Sequence, residues 1–286
     1  MNIGWPWTAI LLLILLGAAM ALLPVLLQAG RRKRRAKRMH QPFPALWEKW
    51  LWEKWRTYRL MPESARQGIR ERTLVLIAEK RFEACGGLKE ITDEMRVLVS
   101  AQASLLILVP GSRNFFPSLK SILIYPVAFR DQARRHFGRS DFDQEQDRGT
   151  LLGESWISGS VILSWDNVKR GAAGDPDGIN VVLHEFAHQL DESDGSPDGA
   201  PELDAMEDYQ RWAGVFQRRF DEMASALERG REPLLDEYGA TDAAEFFAVA
   251  TETFFSSPLR LKREMRDLYE ELQRYYAVDP AKWEGK

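Results

Sequence analysis

The chain has 286 residues and a formal net charge of −3, from 42 acidic and 39 basic side chains. This length allows one large domain or two small ones with a sizeable core. Residues 1–38 contain seven basic side chains and no acidic one, so residues 39–286 carry −3 − 7 = −10. The acidic body argues against direct binding of nucleic acid.

Residues 9–28 form an uncharged apolar run of about the 20 residues that a helix needs to cross a bilayer. Trp5 and Trp7 precede the run, where aromatic rings favour the headgroup level, and a basic cluster at residues 31–38 follows it. A cleaved signal peptide would instead carry its positive charges before the apolar core. We therefore expect residues 1–38 to form a single-pass anchor in the inner (cytoplasmic) membrane, with the rest of the chain facing the cytoplasm.

Residues 39–60 are rich in tryptophan, and Leu-Trp-Glu-Lys-Trp occurs at residues 46–50 and again at residues 51–55. Two such short copies do not make a repeat architecture. The segment could lie on the membrane surface or dock on the domain that follows. Acidic residues alternate with the basic ones, which favours docking, and the main domain is expected to span residues 61–286.

Cys85 is the single cysteine, so no disulfide can form within the chain. This agrees with a reducing compartment. No histidine lies near Cys85 in the sequence, and we expect a small, partly buried residue at a helix end rather than a nucleophile.

The apolar patterns that follow predict helices at residues 62–82 and from a cap at Thr92. Short β-branched runs bounded by turn residues predict strands at residues 104–109, 121–125 and 160–165. Residues 130–149 are charged and poorly patterned, and we expect a loop there.

The second half of the chain predicts mainly helices, so the domain is expected to be of the α+β class. Besides the helix that carries the motif described next, the predicted helices lie at residues 202–227, at residues 242–256 with Thr241 as the cap, and at residues 262–275.

The most specific motif is His184-Glu185-Phe186-Ala187-His188. Two histidines four residues apart share one face of a helix, so both imidazoles can bind one metal ion, and Glu185 can hold a water molecule against it. Apolar residues fall on the opposite face, which disfavours a helix with two idle, solvent-exposed histidines. The pattern predicts a zinc metallopeptidase site on a complete helix.

A catalytic zinc site needs a third protein ligand. Glu245 lies among apolar residues, where an ionised carboxylate is costly unless it is paired or bound to metal. Glu252, seven residues later, could instead be the ligand or support one. Asp194 has the spacing of a close ligand, but Asp191 occupies the place of the glycine that the turn would need. We therefore predict Glu245 as the ligand, and Asp191 as a residue that orients a histidine or supports the helix end.

The motif at residues 184–191, together with residues 238–249, resembles the Mlc titration factor A family of zinc-dependent peptidases. Residues 124–126 and 159–165 add to the likeness, which covers roughly residues 70–275. The second segment is also similar to the catalytic domain of anthrax lethal factor. The resemblance implies a zincin-like metallopeptidase domain with one zinc ion per chain, and it assigns its site residues: His184, His188 and Glu245 as metal ligands, Glu185 as general base, and Tyr238 facing the developing oxyanion.

The sequence thus predicts a membrane-anchored zinc peptidase, aminopeptidase-like if it follows the family, that acts on a peptide or protein. The resemblance also implies an alternative, in which the chain sequesters a transcriptional repressor of sugar uptake genes and the metal site is structural or weakly active. A third possibility is an anchored adaptor without turnover. The intact Glu185 favours catalysis, because a structural site needs its ligands but no general base.

Overall fold

The structure is a computed structural model that describes residues 7–109, 114–127 and 159–284. The chain divides into two compact units, Met1–Pro42 and Phe43–Lys286. The loop predicted at residues 130–149 lies outside the described residues, as does the side chain of Asp194.

In the described part of the first unit there is one helix, α1 (Trp7–Met39), which contains the apolar run and the basic cluster. Several of its leucines are exposed, among them Leu12 and Leu26. Among the residues that the structure describes, no helix is both long and apolar enough to cross a membrane. The predicted transmembrane anchor is therefore not confirmed.

The second unit is rich in helices. In chain order its described helices are α2 (Ala45–Lys54), α3 (Arg56–Leu60), α4 (Glu63–Glu79), α5 (Asp93–Leu105), α6 (Trp165–Ala173), α7 (Val181–Asp191), α8 (Met206–Glu228), α9 (Ala243–Ser256), α10 (Pro258–Glu264), α11 (Arg266–Tyr276) and α12 (Ala281–Glu284). Two short 3-10 turns, Glu192–Asp194 and Glu237–Ala240, follow α7 and precede α9.

A small parallel sheet accompanies these helices. Its strands are β1 (Arg81–Ala84), β2 (Ser121–Tyr125) and β3 (Ser160–Ser164), hydrogen-bonded in the order β1-β2-β3. Ile122, Ile124, Val161 and Leu163 are buried, so β2 and β3 present alternate side chains to the core. The predictions of these two strands, and of helices combined with a small sheet, are confirmed.

The predicted strand at residues 104–109 is wrong, because α5 continues through Leu105. The run from Val97 to Leu105 is buried on all sides of the helix, so no polar face marks it as helical in the sequence. The helix capped by Thr92 is confirmed, since the Thr92 hydroxyl accepts a hydrogen bond from the Met95 backbone N–H at 3.3 Å.

The helix predicted at residues 62–82 also ends early, at Glu79, and residues 81–84 form β1 instead. Cys85 consequently follows a strand rather than ending a helix, and its backbone N–H donates to the Ile124 carbonyl at 2.9 Å. The four-residue strand follows the helix after one residue, so the helical pattern runs into it unbroken. Pairing with β2 therefore determines that residues 81–84 form a strand rather than a continuation of α4.

The tryptophan-rich segment forms α2 and docks on the domain. Leu51 and Trp55 are fully buried, and the Tyr58 hydroxyl donates to the Glu48 carboxylate at 3.0 Å. Trp52 stays exposed, with the guanidinium of Arg66 5.2 Å from the ring centroid. These contacts agree with the docking interpretation of the segment.

The helices after the motif form an aromatic core behind it. The Trp212 ring on α8 stacks on Phe216, with ring centroids 4.0 Å apart, and meets Phe247 of α9 edge to face. The cap of α9 is Asp242 rather than the predicted Thr241, because Asp242 Oδ1 accepts from the Glu245 backbone N–H at 2.9 Å. The last predicted helix is divided in two: α10 begins at Pro258, and α11 begins at Arg266.

Candidate metal centre

Helix α7 carries the motif and is fixed in place by its cap and its apolar face. The Asn180 side-chain oxygen accepts from the backbone N–H groups of Val182 and Leu183, at 3.1 and 3.2 Å. Val182 and Phe186 are fully buried in the core. The opposite face, which holds the two histidines, is therefore directed towards α9.

Three side chains from α7 and α9 converge on one point. His184 Nε2 lies 3.2 Å from His188 Nε2, and Glu245 Oε2 lies 3.0 Å from the former and 3.5 Å from the latter. One donor atom from each of the three residues lies within 4.8 Å of the other two. The structure thus brings together the three residues that the sequence predicts as metal ligands.

The chemistry of this cluster fits a bound cation. Glu245 Oε2 is buried and makes no hydrogen bond of good geometry within the described part of the chain, although two ring nitrogens face it. Burial alone would raise the pKa of Glu245, but His184 and His188 hold it well below its usual value. A metal ion at the centre would bind this oxygen together with both nitrogens.

Glu252 lies behind the cluster rather than in it. Its Oε1 is 2.6 Å from His184 Nδ1, and its Oε2 accepts from the backbone N–H of Asn180 at 2.6 Å. The Asn180 side-chain amide donates in turn to Gln102 Oε1 on α5 at 2.8 Å. Burial lowers the pKa of His184, but Glu252 and Glu245 outweigh it and raise this pKa to about 10.

Sequence reasoning left Glu252 open as either the ligand or a residue that supports one, and it missed the rest of this network. Gln102 and Asn180 are 78 positions apart in the chain, and Asn180 and Glu252 are 72 apart. The one available signal was the asparagine at residue 180, four residues before His184, since asparagine is a preferred helix cap.

Asp191 supports the end of α7, one of the two roles predicted for it. Its Oδ2 accepts from the Gly199 backbone N–H at 3.1 Å, and Trp212 Nε1 donates to the Gly199 carbonyl at 2.9 Å. Burial raises the pKa of Asp191 to about 6. Gly199 has φ +80°, and a Cβ there would approach the Ala243 carbonyl oxygen to 2.4 Å. Glycine is therefore required at this position, between the end of α7 and the start of α9.

The structure also places Tyr238 beside the cluster. Its ring centroid is 6.1 Å from that of His184, and the turn that carries it is capped by Asp236, which accepts from the Tyr238 N–H at 2.9 Å. Glu185 lies on α7 next to His184 and is half-buried. The roles of Glu185 and Tyr238 in a reaction stay predictions.

Comparison with known proteins defines the class. The family described as glucose-regulated metallo-peptidase M90 matches residues 28–277, and the chain belongs to this family. The His184–His188–Glu245 cluster lies within the matched region. The sequence-based assignment to a metallopeptidase family is thereby confirmed.

Individual relatives cover most of the chain. Uncharacterized protein slr2042 of Synechocystis sp. is 37% identical over 248 residues, which are 86% of this chain and 89% of that protein. Mlc titration factor A of Yersinia pestis (strain Pestoides F) is 30% identical over 224 residues, 73% of this chain and 78% of the relative, and the same holds for Mlc titration factor A of Yersinia pseudotuberculosis. This confirms the likeness to Mlc titration factor A. The likeness to anthrax lethal factor is not tested and stays a prediction.

Proposed function

We propose that this protein is a zinc-dependent peptidase of the zincin-like type, aminopeptidase-like in specificity, with one zinc ion held by His184, His188 and Glu245. The observation that carries the proposal is the convergence of two imidazole nitrogens and one buried carboxylate oxygen within 4.8 Å. Two histidines and a glutamate form the ligand set of several zinc peptidases, which leave a further position open for water or substrate. Membership of a metallopeptidase family adds independent support.

Zinc bound here would supply Lewis acidity for the hydrolysis of a peptide bond. Glu185 follows His184 directly on α7, and its carboxylate would accept the proton of the attacking water as general base. The hydroxyl of Tyr238 would donate a hydrogen bond to the carbonyl oxygen as negative charge develops on it. The 6.1 Å between the Tyr238 and His184 rings supports this role.

Replacing Glu185 with glutamine tests the proposal. We expect Glu185→Gln to keep its zinc and to lose about 10²- to 10⁴-fold in kcat, because the amide cannot accept the proton. The measurement is hydrolysis of amino-acid 4-nitroanilides and of an internally quenched peptide by the full-length protein. Glu271→Gln is the control, since Glu271 pairs with Arg211 and Arg274 on α8 and α11. Unchanged kcat in Glu185→Gln would exclude this residue as general base.

A second candidate function is suggested by the name of the Yersinia relatives, Mlc titration factor A. In this alternative the chain binds a transcriptional repressor of sugar uptake genes, and its metal site is structural or weakly active. Binding of purified Mlc to the parent protein and to Glu185→Gln separates the two functions. Binding by both proteins, together with no hydrolysis by the parent, would favour the regulator over the peptidase.

We also propose that residues 9–28 anchor the protein in the inner membrane, with the domain on the cytoplasmic side. The support is the uncharged run in α1, its exposed leucines and the basic cluster that follows. A reporter that is active only in the cytoplasm, fused after residue 40, should be active. A periplasmic signal would overturn the orientation, and recovery of the full-length protein in the soluble fraction would overturn the anchor.

A further inference from the structure

Glu252 is a buried carboxylate that none of the proposed catalytic roles uses. Both its oxygens are engaged: Oε1 lies 2.6 Å from His184 Nδ1, and Oε2 accepts from the Asn180 backbone N–H at 2.6 Å. The side chain is buried on α9, two helical turns after Glu245. The carboxylate therefore links a proposed metal ligand to the start of the helix that carries it.

The contact at Nδ1 determines what the other side of the His184 ring can do. A carboxylate at 2.6 Å favours a proton on Nδ1, so when a metal ion displaces the other ring proton, the lone pair is on Nε2. That nitrogen is the one that faces His188 Nε2 and Glu245 Oε2, at 3.2 and 3.0 Å. The carboxylate thus selects the tautomer in which His184 can bind a metal ion.

The second oxygen of Glu252 connects this carboxylate to a network of hydrogen bonds. Asn180 caps α7 through its side-chain oxygen, and its amide donates to Gln102 Oε1, which is buried on α5. Any rotation of Glu252 would therefore break the bond to the Asn180 N–H as well as the one to His184. Residues of α5, α9 and the N-cap of α7 thus together hold the imidazole ring of His184 in place.

We propose that Glu252 is a positioning residue that fixes the tautomer and the ring orientation of His184 and so raises the metal affinity of the site. The inference rests on the proposed function insofar as it places a zinc ion on His184. Glu252 is not itself a ligand in this assignment, because both its oxygens contact groups on the far side of the ring from the cluster.

Glutamine at this position tests the geometry with little change in size. An amide offers one oxygen, so Glu252→Gln can accept from His184 Nδ1 or from the Asn180 N–H but not from both. The remaining NH₂ group would then face a donor. The matched control is Glu271→Gln, which also removes a buried carboxylate, but one paired with Arg211 on α8 and with Arg274 on its own helix, α11.

The experiment compares the full-length parent with the two variants. Zinc affinity is measured by competition with a chromophoric chelator, and the geometry by the d–d absorption of the Co²⁺-loaded protein. We expect Glu252→Gln to keep one zinc per chain with about 10- to 100-fold weaker affinity and an altered Co²⁺ spectrum. The control should match the parent in both. For peptide hydrolysis, kcat should fall in Glu252→Gln while KM stays near that of the parent.

Parental affinity and spectrum in Glu252→Gln would overturn the inference, and so would complete loss of zinc from a folded variant, which would make Glu252 a ligand. If Glu252→Gln does not fold, NMR of the ¹⁵N-histidine-labelled, zinc-loaded parent decides: a proton on Nδ1 of His184 supports the inference, and its absence overturns it. A parent that binds zinc but cleaves no peptide refutes the proposed function alone. A parent that binds no zinc refutes both.

Discussion

Two buried glutamates on neighbouring helices differ in what compensates their charge. Glu271 on α11 is paired with two arginines: Arg211 Nε at 3.0 Å and Arg274 Nη1 at 2.6 Å. Glu245 on α9 faces two imidazoles instead, and its buried Oε2 forms no well-aligned hydrogen bond among the described residues. A fully paired carboxylate is typical of structural support, whereas an incompletely paired one opposite two ring nitrogens indicates a site that receives a cation.

The largest expected effect comes from removing each carboxylate in turn. Glu245→Ala should lose its zinc, because two imidazoles alone leave the site without its anionic ligand. Glu271→Ala should keep one zinc per chain and lose stability instead, since two arginines lose their common partner. Metal content and urea unfolding of both proteins measure this difference. Retention of zinc by Glu245→Ala would contradict the contrast between the two glutamates, because another group would then be the third ligand.

A smaller effect is expected from Tyr238→Phe, which separates transition-state stabilisation from metal binding. The phenyl ring keeps the packing against His184 but lacks the hydroxyl that would donate to the oxyanion. We expect kcat to fall by about 10²- to 10³-fold with zinc content and KM little changed. Steady-state kinetics on the quenched peptide measure both constants. Loss of zinc in this variant would assign Tyr238 to the metal site rather than to the reaction.

The smallest effect is expected at Gly199, which lies between the surroundings of Glu245 and those of Glu271. Its N–H binds Asp191 behind the metal cluster, and its carbonyl accepts from Trp212 of α8, the helix that also holds Arg211. Gly199→Ala would put a Cβ at φ +80° against the Ala243 carbonyl and should lower the free energy of unfolding by about 1–3 kcal/mol.

Urea unfolding of the zinc-free protein measures this change, and Gly195→Ala is the matched control. Gly195 also has a positive φ, of +93°, but a Cβ there would meet nothing within 4 Å. Equal destabilisation by the two substitutions would mean that backbone strain alone, and not the contact with Ala243, accounts for the effect.

The metal cluster was predictable from the sequence because its signals are local. The spacing of His184 and His188 fixes a shared helix face, and the apolar neighbours of Glu245 make its charge costly without a partner. The links from Glu252 to Asn180 and on to Gln102 were not predictable, because they join residues more than 70 positions apart. Only the packing of α7 against α5 and α9 brings these groups together.

The errors in secondary structure have a similar origin. Residues 105–107 are apolar and buried, so their pattern does not distinguish a buried helix end from a buried strand. β1 has four residues, and its pairing with β2, which lies some 40 positions later, outweighs the local helical pattern. The cap at Asp242 rather than Thr241 is a shift of one position between two good capping residues.

The parallel sheet has a consequence for how the chain folds. Each pairing of parallel strands needs a long excursion of the chain: from residue 84 to residue 121 for β1 with β2, and from residue 125 to residue 160 for β2 with β3. His184 and Glu245 are farther apart, at 61 positions. Closing such loops costs chain entropy before any contact compensates for it, so we expect the parallel sheet to form more slowly than the helices around it. The metal cluster therefore exists only once α7 and α9 have packed together, and a bound ion would slow unfolding rather than nucleate folding.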